Sequence, residues 1–228
     1  MKLQTITNIE TSAKCNLNCQ YCMSPIQMKW RDVGLMSMHT FEATMDMVKK
    51  LVKKGTQREI NIFGVGEPLL NEHIIDMLKI AKRVSPIWPI HLNTNGVFLT
   101  EEIAKKLKDA GLDGIDITGH NHKATATSIK ICKKVQLKYN VTYDFAISPN
   151  NWAGQVDWFE PDYSYSCPWV ARGQAFVMWD GAIVNCCFDA KKMNVLGNVY
   201  DTPIDVIDIA PFELCKKCHQ ITSLRGDL

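Results

Sequence analysis

Cys15-Asn16-Leu17-Asn18-Cys19-Gln20-Tyr21-Cys22 sets three thiols on one short stretch, with the spacing C-x3-C-x2-C. Thiols so close together suit one face of a cubane cluster. A [4Fe–4S] cluster has four irons, so three thiolates leave one iron open to a small molecule. Structural zinc takes four protein ligands, commonly in paired C-x2-C halves, and fits a three-then-two gap poorly. On spacing alone, zinc remains the alternative.

The sequence on both sides alternates between strand and helix patterns. Residues 3–11 read as a strand that delivers the chain to the cysteine loop. In 38–54, Phe41, Met45, Val48 and Val52 recur at helical steps and Gly55 stops the helix. Residues 59–63 read as a short strand ending in Gly64-Val65-Gly66-Glu67-Pro68, and 72–83 as an amphipathic helix. A strand over 90–93 ends in Thr94-Asn95-Gly96. Thr100 then reads as the N-cap of a helix that Ala110-Gly111 closes. A strand at 114–118, a helix at 123–136 and a strand at 141–148 follow. This order argues for an α/β fold around a parallel sheet, open or curled into a partial barrel.

After Pro149 the texture changes to Asn, Trp, Tyr and Pro. Residues 176–179 and 182–184 flank Asp180-Gly181, a hairpin signal. We therefore expect a main unit over 1–151 and a small α+β module over 152–228. The module has few apolar residues, and bound metal would help it fold.

The chain has 228 residues, 46% hydrophobic and 22% charged, with a net charge of +2 and no dense basic run. Charge therefore implies neither nucleic acid nor an anionic membrane. No stretch approaches the roughly 18 apolar residues of a membrane span. The first residues lack a signal peptide's apolar core. The expectation is a cytoplasmic protein. There, nine cysteines point to metal or redox chemistry rather than disulfides.

The cysteine loop resembles the radical S-adenosylmethionine (SAM) superfamily, whose signature is C-x3-C-x-aromatic-C after the first strand of a partial (β/α) barrel. Tyr21 fills the aromatic position. The resemblance implies about five to six parallel strands and a [4Fe–4S] cluster on Cys15, Cys19 and Cys22. It implies that the open iron chelates SAM, and that reduction yields a 5′-deoxyadenosyl radical that removes a hydrogen atom from substrate. Gly64-Val65-Gly66-Glu67-Pro68 resembles the family's glycine-glycine-glutamate motif, with Val65 in place of a glycine. Gly64, Gly66, Glu67 and Pro68 are then expected at the SAM ammonium. Thr94, Asn95, Thr118 and Ile147 are expected at other parts of SAM, all at strand C-terminal ends.

Cys167, Cys186, Cys215 and Cys218, with Gly181-x4-Cys186 and Leu196-Gly197-Asn198-Val199, resemble the twitch module, a shortened relative of SPASM. Four cysteines would ligate a second [4Fe–4S] cluster, with a four-cysteine zinc knot as the plain alternative. Cys187 adjoins Cys186 and could exchange with it. Cys132, on an apolar helix stripe with Ile129 and Val135, reads as core, and His219 as a tail residue. Trp152, Trp158, Trp169 and Trp179 are expected to pack around the cluster.

The architecture resembles radical SAM alcohol dehydrogenases of the 2-deoxy-scyllo-inosamine type. This implies a two-electron oxidation of a small polar molecule, with an electron donor of flavodoxin or ferredoxin type. A peptide-modifying maturase is the second reading; a non-enzymatic iron–sulfur or zinc carrier is the third. Arg172 and His120 are the candidate catalytic residues. Asn121, His122, Asn150 and Asn151 are further polar groups expected at the barrel mouth.

Overall fold

The computed structural model describes residues 1–19, 22–23, 29, 31–142 and 167–218. Six parallel strands form most of one open sheet: β1 (Thr5–Ile9), β2 (Ile60–Ile62), β3 (Ile90–Thr94), β4 (Gly114–Thr118), β5 (Tyr139–Thr142) and β6 (Gln174–Val177). The strand order is β5-β4-β3-β2-β1-β6-β7-β8, where β7 (Ala182–Val184) and β8 (Val195–Asn198) are antiparallel. Helices α1 (Met38–Lys54), α2 (Ile74–Val84), α3 (Glu101–Asp109) and α4 (His122–Val135) alternate with β2 to β5. Both the parallel sheet and the small stranded module follow the expectation. The expected boundary near 151 lies outside the described residues.

Side-chain parity explains the layers. Ile60, Ile62, Ile90, Leu92, Ile115 and Ile117 are fully buried and belong to the main core. Phe41, Met45, Val48 and Leu51 of α1, and Met77, Leu78 and Ala81 of α2, belong to the same core. The alternate positions of these strands are polar: Asn61, His91, Asn93 and Asp116. Period-two alternation therefore gives the sheet an apolar face under the helices and a polar face away from them.

β1 breaks this parity. Ile6 and Ile9 are both fully buried in the core, yet three residues apart they cannot share one face of a regular strand. The β1–β6 register shifts between Ile6 and Asn8, so a bulge at Thr7 reconciles them. The β1–β2 pairing begins only at Asn8–Asn61, which leaves Ile6 without a strand partner on that side. The Gln57 side chain takes the strand's place. Its Nε2 donates to Ile6 O at 2.7 Å and its Oε1 accepts from Ile6 N at 3.2 Å.

The Gly55 stop and the Thr100 cap are built as read, and Ser37 adds a cap that the sequence reading did not single out. Ser37 Oγ caps α1 by accepting Thr40 N, Gly55 closes it with φ of 75°, and Thr100 Oγ1 accepts Ile103 N at 3.2 Å. β5 starts at Tyr139, two residues before the expected strand, because Tyr139 and Val141 share the core side. Its expected continuation to 148 lies outside the described residues.

The sequence does not announce that β6 joins the main sheet beside β1. Ala175, Val177, Ile183, Ile204, Ile207 and Ile209 all belong to the main core. The first residues are tied there too, through Leu3 N to Ile207 O at 3.0 Å and Ile209 N to Met1 O at 2.7 Å. A separate small core holds Phe188, Leu214 and Cys218, with Trp169, Cys186, Cys187 and Phe212 against it.

Replacing Gln57 by Leu keeps the volume but leaves the buried Ile6 N–H and C=O without partners. We expect a loss of about 2–4 kcal/mol in urea unfolding. A loss below about 0.5 kcal/mol would show that the amide is not bracing the bulge.

Candidate functional site

Three features meet at the C-terminal ends of the parallel strands. The cysteine loop leaves β1, the Gly64–Pro68 turn leaves β2, and Thr94-Asn95-Gly96 leaves β3. Cys22 N donates to Cys19 O at 3.0 Å, and Leu17 N to Cys15 Sγ at 3.5 Å. Burial, with Glu67 and Cys19 nearby, raises the Cys15 thiol above its ordinary range, while the amides of Leu17 and Asn16 oppose this. Amide-to-sulfur bonds of this kind are among the groups that tune an iron–sulfur cluster.

Glu67 is only 1% exposed and its carboxylate is well occupied. Oε1 accepts Leu69 N at 3.0 Å and Thr94 Oγ1 at 2.7 Å, and Oε2 accepts Asn95 N at 2.8 Å. Burial raises its pKa, against the three donors. Glu67 thus braces the turn after β2 against the end of β3. Asn95 carries the brace to the cysteine loop: its Nδ2 lies 2.8 Å from Asn16 Oδ1 and 3.9 Å from Cys15 Sγ.

The turn packs backbone to backbone on the loop. Glu67 N donates to Lys14 O at 2.8 Å. A Cβ on Gly66 would sit 2.2 Å from Ser12 O, so only glycine fits there. Val65 stands where the family motif has glycine because its side chain has a place to go. It packs with Met23, just past Cys22, and with Ala190 of the C-terminal module.

Cys167, Cys186, Cys215 and Cys218 line a second, narrow cavity with Trp169, Val170, Asn185, Phe188, Asp189, Phe212 and Leu214. None of the nine cysteines forms a disulfide. Burial raises Cys167 and Cys215, and Cys186 adds to both through its charge. Cys186 is raised well above its usual range, first by the hydrogen bond with Cys187 and then by burial. Among the described residues no three His, Cys, Asp or Glu side chains gather closely enough to hold a single metal ion. The thiols instead surround a space. Three soft donors on the first loop and four lining a narrow cavity fit iron–sulfur clusters in chemistry.

A third feature adjoins the four-thiol cavity. The polar face of the sheet lines a cavity of about 400 Å³ with Asn8, Asn61, Asn93, Asp116 and Gln174, and Arg172 and Glu59 stand at it. Asn140 Nδ2 donates to Asp116 Oδ1 at 2.9 Å, and His91 Nδ1 lies 3.8 Å from Asp116 Oδ2. Trp169, Cys187 and Phe188 close the far side. Trp169 and Phe188 also line the four-thiol cavity; their rings are 5.7 Å apart and tilted by 59°. The two cavities therefore share an aromatic wall.

The structure thus gathers Gly64, Gly66, Glu67, Pro68, Thr94 and Asn95 beside Cys15. Thr118 ends β4, where its carbonyl accepts His120 N. Arg172 lines the polar cavity; His120 is not among its lining residues. Asn121 caps α4 through Ala124 N, and His122 is the exposed first residue of that helix. Cys132 is core, as expected. Cys186 faces the four-thiol cavity, whereas Cys187 faces the polar one. Trp169 packs at the thiol cavity as expected. Trp179 does not, because the β6–β7 turn carries it to Asp32, whose carbonyl accepts its Nε1 at 3.2 Å. Tyr21, Ile147, Asn150, Asn151, Trp152, Trp158 and His219 lie outside the described residues. Sequence reading missed Asn8, Asn61, Asn93, Asp116 and Gln174. For Asn8, Asn61 and Asp116 the signal was a single polar residue between β-branched neighbours, as in Ile60-Asn61-Ile62 and Ile115-Asp116-Ile117; Asn93 and Gln174 carry no such signal.

Comparison with known proteins agrees with this geometry. Residues 9–143 match the Radical SAM superfamily and residues 167–219 match an iron–sulfur cluster-binding domain, SPASM. A GTP 3′,8-cyclase of Aquifex aeolicus is 34% identical over 116 residues, covering 51% of this chain and 35% of that protein. The matched stretch thus spans about a third of such curated relatives. A crystal structure of BtrN in complex with AdoMet and 2-DOIA matches with a TM-score of 0.77 at 22% identity, covering 99% of this chain and 86% of that one. A structure of anSMEcpe with bound AdoMet and Kp18Cys peptide matches with a TM-score of 0.62 at 13% identity, covering 96% and 82%. Among the described residues no helix is long and apolar enough to cross a membrane. The chain belongs to the Radical SAM superfamily, an enzyme family that uses a [4Fe–4S] cluster and SAM, and it carries a SPASM module for further iron–sulfur clusters.

Proposed function

We propose that this enzyme oxidises a hydroxyl-bearing small molecule by two electrons. The wall shared by the polar cavity and the four-thiol cavity carries this reading, because it sets a substrate space next to an electron acceptor. Cys15, Cys19 and Cys22 would hold the SAM-binding cluster, and Cys167, Cys186, Cys215 and Cys218 the auxiliary one. When bound, SAM at the first cluster supplies the hydrogen-abstracting radical, and the second cluster supplies a one-electron acceptor.

The chain's own residues do the rest. Asn8, Asn61, Asn93 and Gln174 each offer a donor and an acceptor, which suits hydroxyl groups. Asp116 is the carboxylate on the sheet's polar face, and oxidation of a hydroxyl needs a group to take its proton. Arg172 at the cavity orients the polar substrate. Trp169 and Phe188 keep water from the thiol cavity.

The whole-chain likeness to BtrN, a radical SAM dehydrogenase, supports the reading at the level of fold. The likeness to GTP 3′,8-cyclases covers only the half that carries the SAM motifs. Charge argues against a nucleoside triphosphate here. The described lining of the polar cavity has two carboxylates, Glu59 and Asp116, against one guanidinium, Arg172, and a polyphosphate calls for an excess of cations.

Four measurements test this. Anaerobically reconstituted protein should hold about eight irons per chain, from two four-iron clusters, and release 5′-deoxyadenosine with dithionite and SAM. Joint replacement of Cys15, Cys19 and Cys22 by Ala should abolish that release and leave about four irons; continued SAM cleavage would defeat the ligand assignment. Cys186→Ala should lose the second cluster while Cys187→Ala keeps it, read by iron content and absorbance. Incubation with a panel of polyols and amino alcohols should give one trapped carbonyl per 5′-deoxyadenosine. Conversion of GTP in place of every alcohol would reverse the reading.

A further inference from the structure

Arg31 follows the first cysteine loop, and its side chain is 3% exposed. It makes two parallel bonds to the Glu10 carboxylate, from Nη2 to Oε1 at 3.0 Å and from Nη1 to Oε2 at 3.1 Å. Nη1 also donates to Met178 Sδ at 2.7 Å. Glu10 directly follows β1 and is 1% exposed. Beyond Arg31, it accepts Trp179 N at 3.3 Å and the amide of Val65. One carboxylate thus touches the exit of the cysteine loop, the turn after β2 and the β6–β7 turn.

Neighbouring contacts repeat the same junction. Ser12 and Leu35 form an antiparallel bridge, so the chain after Arg31 runs back along the exit from β1. A Cβ on Gly34 would sit 2.4 Å from the Trp179 ring, which shows how closely the β6–β7 turn lies on that segment. Asp189 of the C-terminal module is fully buried and feels the Arg31 charge.

A buried ion pair is a weak source of stability, because desolvation offsets most of the attraction; its better-attested use is to fix register. An apolar pair could fill this space but would supply no acceptor for the two loop amides. We propose that Glu10 and Arg31 are positioning residues that lock the C-terminal module in one register against the SAM-site loop and turn. They hold the shape of the Gly64–Pro68 turn and the relation between the two cluster sites. This rests on family membership and on neither the dehydrogenase reading nor any substrate.

Reconstituted Arg31→Met protein tests it by hydrogen–deuterium exchange and by titration of SAM against the electron paramagnetic resonance signal of the reduced first cluster. Iron content should stay at the wild-type level. Peptides covering 64–68 and 178–182 should exchange about tenfold faster or more, while α1, β3 and β4 keep their protection. SAM affinity should fall about tenfold or more. Unchanged exchange, a uniform rise over the whole chain, or wild-type SAM affinity would each overturn the proposal. If Arg31→Met does not retain iron, Arg31→Lys decides. It keeps the charge without the paired geometry, so it should show the same local rise at smaller size, and wild-type exchange and affinity there would equally refute the idea.

Discussion

Parity along the parallel strands is the constraint on which the rest depends. Ile60, Ile62, Ile90, Leu92, Ile115 and Ile117 are all fully buried under the helices, and each such side chain stabilises the fold by about 1.5–3 kcal/mol. A slip of one residue in any strand would exchange that face for Asn61, Asn93 or Asp116. The burial that holds the sheet together therefore also commits its other face to amides and a carboxylate. Toward β6 and β7 an apolar cluster of Phe63, Phe176, Met178, Ala182 and Val184 packs apart from the main core. Over β2 to β4 the same face lines a polar cavity, so stability and the room for a substrate come from the same alternation.

β1 departs from this rule, and the departure serves the site. A strict strand would put only one of Ile6 and Ile9 in the core. The bulge at Thr7 buries both and turns Asn8 toward the polar cavity, as the bulges found near functional sites commonly do. The freed backbone of Ile6 is satisfied by Gln57, in the middle of the α1–β2 connection. One residue past the strand, Glu10 is then placed to collect amides from two other loops.

How much of this was legible depended on the range of the interaction. The α1 and β4 limits, the Thr100 cap and the Gly55 stop follow from residues a few positions apart, and the structure has them. The cysteine spacings are local as well. That β6 pairs with β1 is a contact across roughly 170 residues, and nothing in Gln174–Val177 says which strand it will meet. A lone polar residue in a strand, such as Asn61 or Asp116, is also what the solvent side of a half-buried strand shows. Only the C-terminal module, folded over that face, makes a cavity of it. Glu67 was legible as a functional residue, but its occupation by Leu69, Thr94 and Asn95 was not, since two of those donors belong to a different strand end.

That occupation changes how the turn after β2 works. With its carboxylate taken up by three donors, Glu67 shapes the site by holding the end of β3 and, through Asn95, the loop of Cys15. The turn's backbone remains as the surface facing outward from that brace. Its position is set from below by Gly66 against Ser12, and from the side by Val65 against Met23 and Ala190. Transfer of an electron between two centres is sensitive to their separation, and abstraction of a hydrogen atom is sensitive to fractions of an ångström. A fold that needed both would gain from joining the same three segments more than once. The Glu10–Arg31 pair and the Met23–Val65–Ala190 contact do this with charge and apolar packing, and the Trp179 ring on Gly34 joins two of the three by shape.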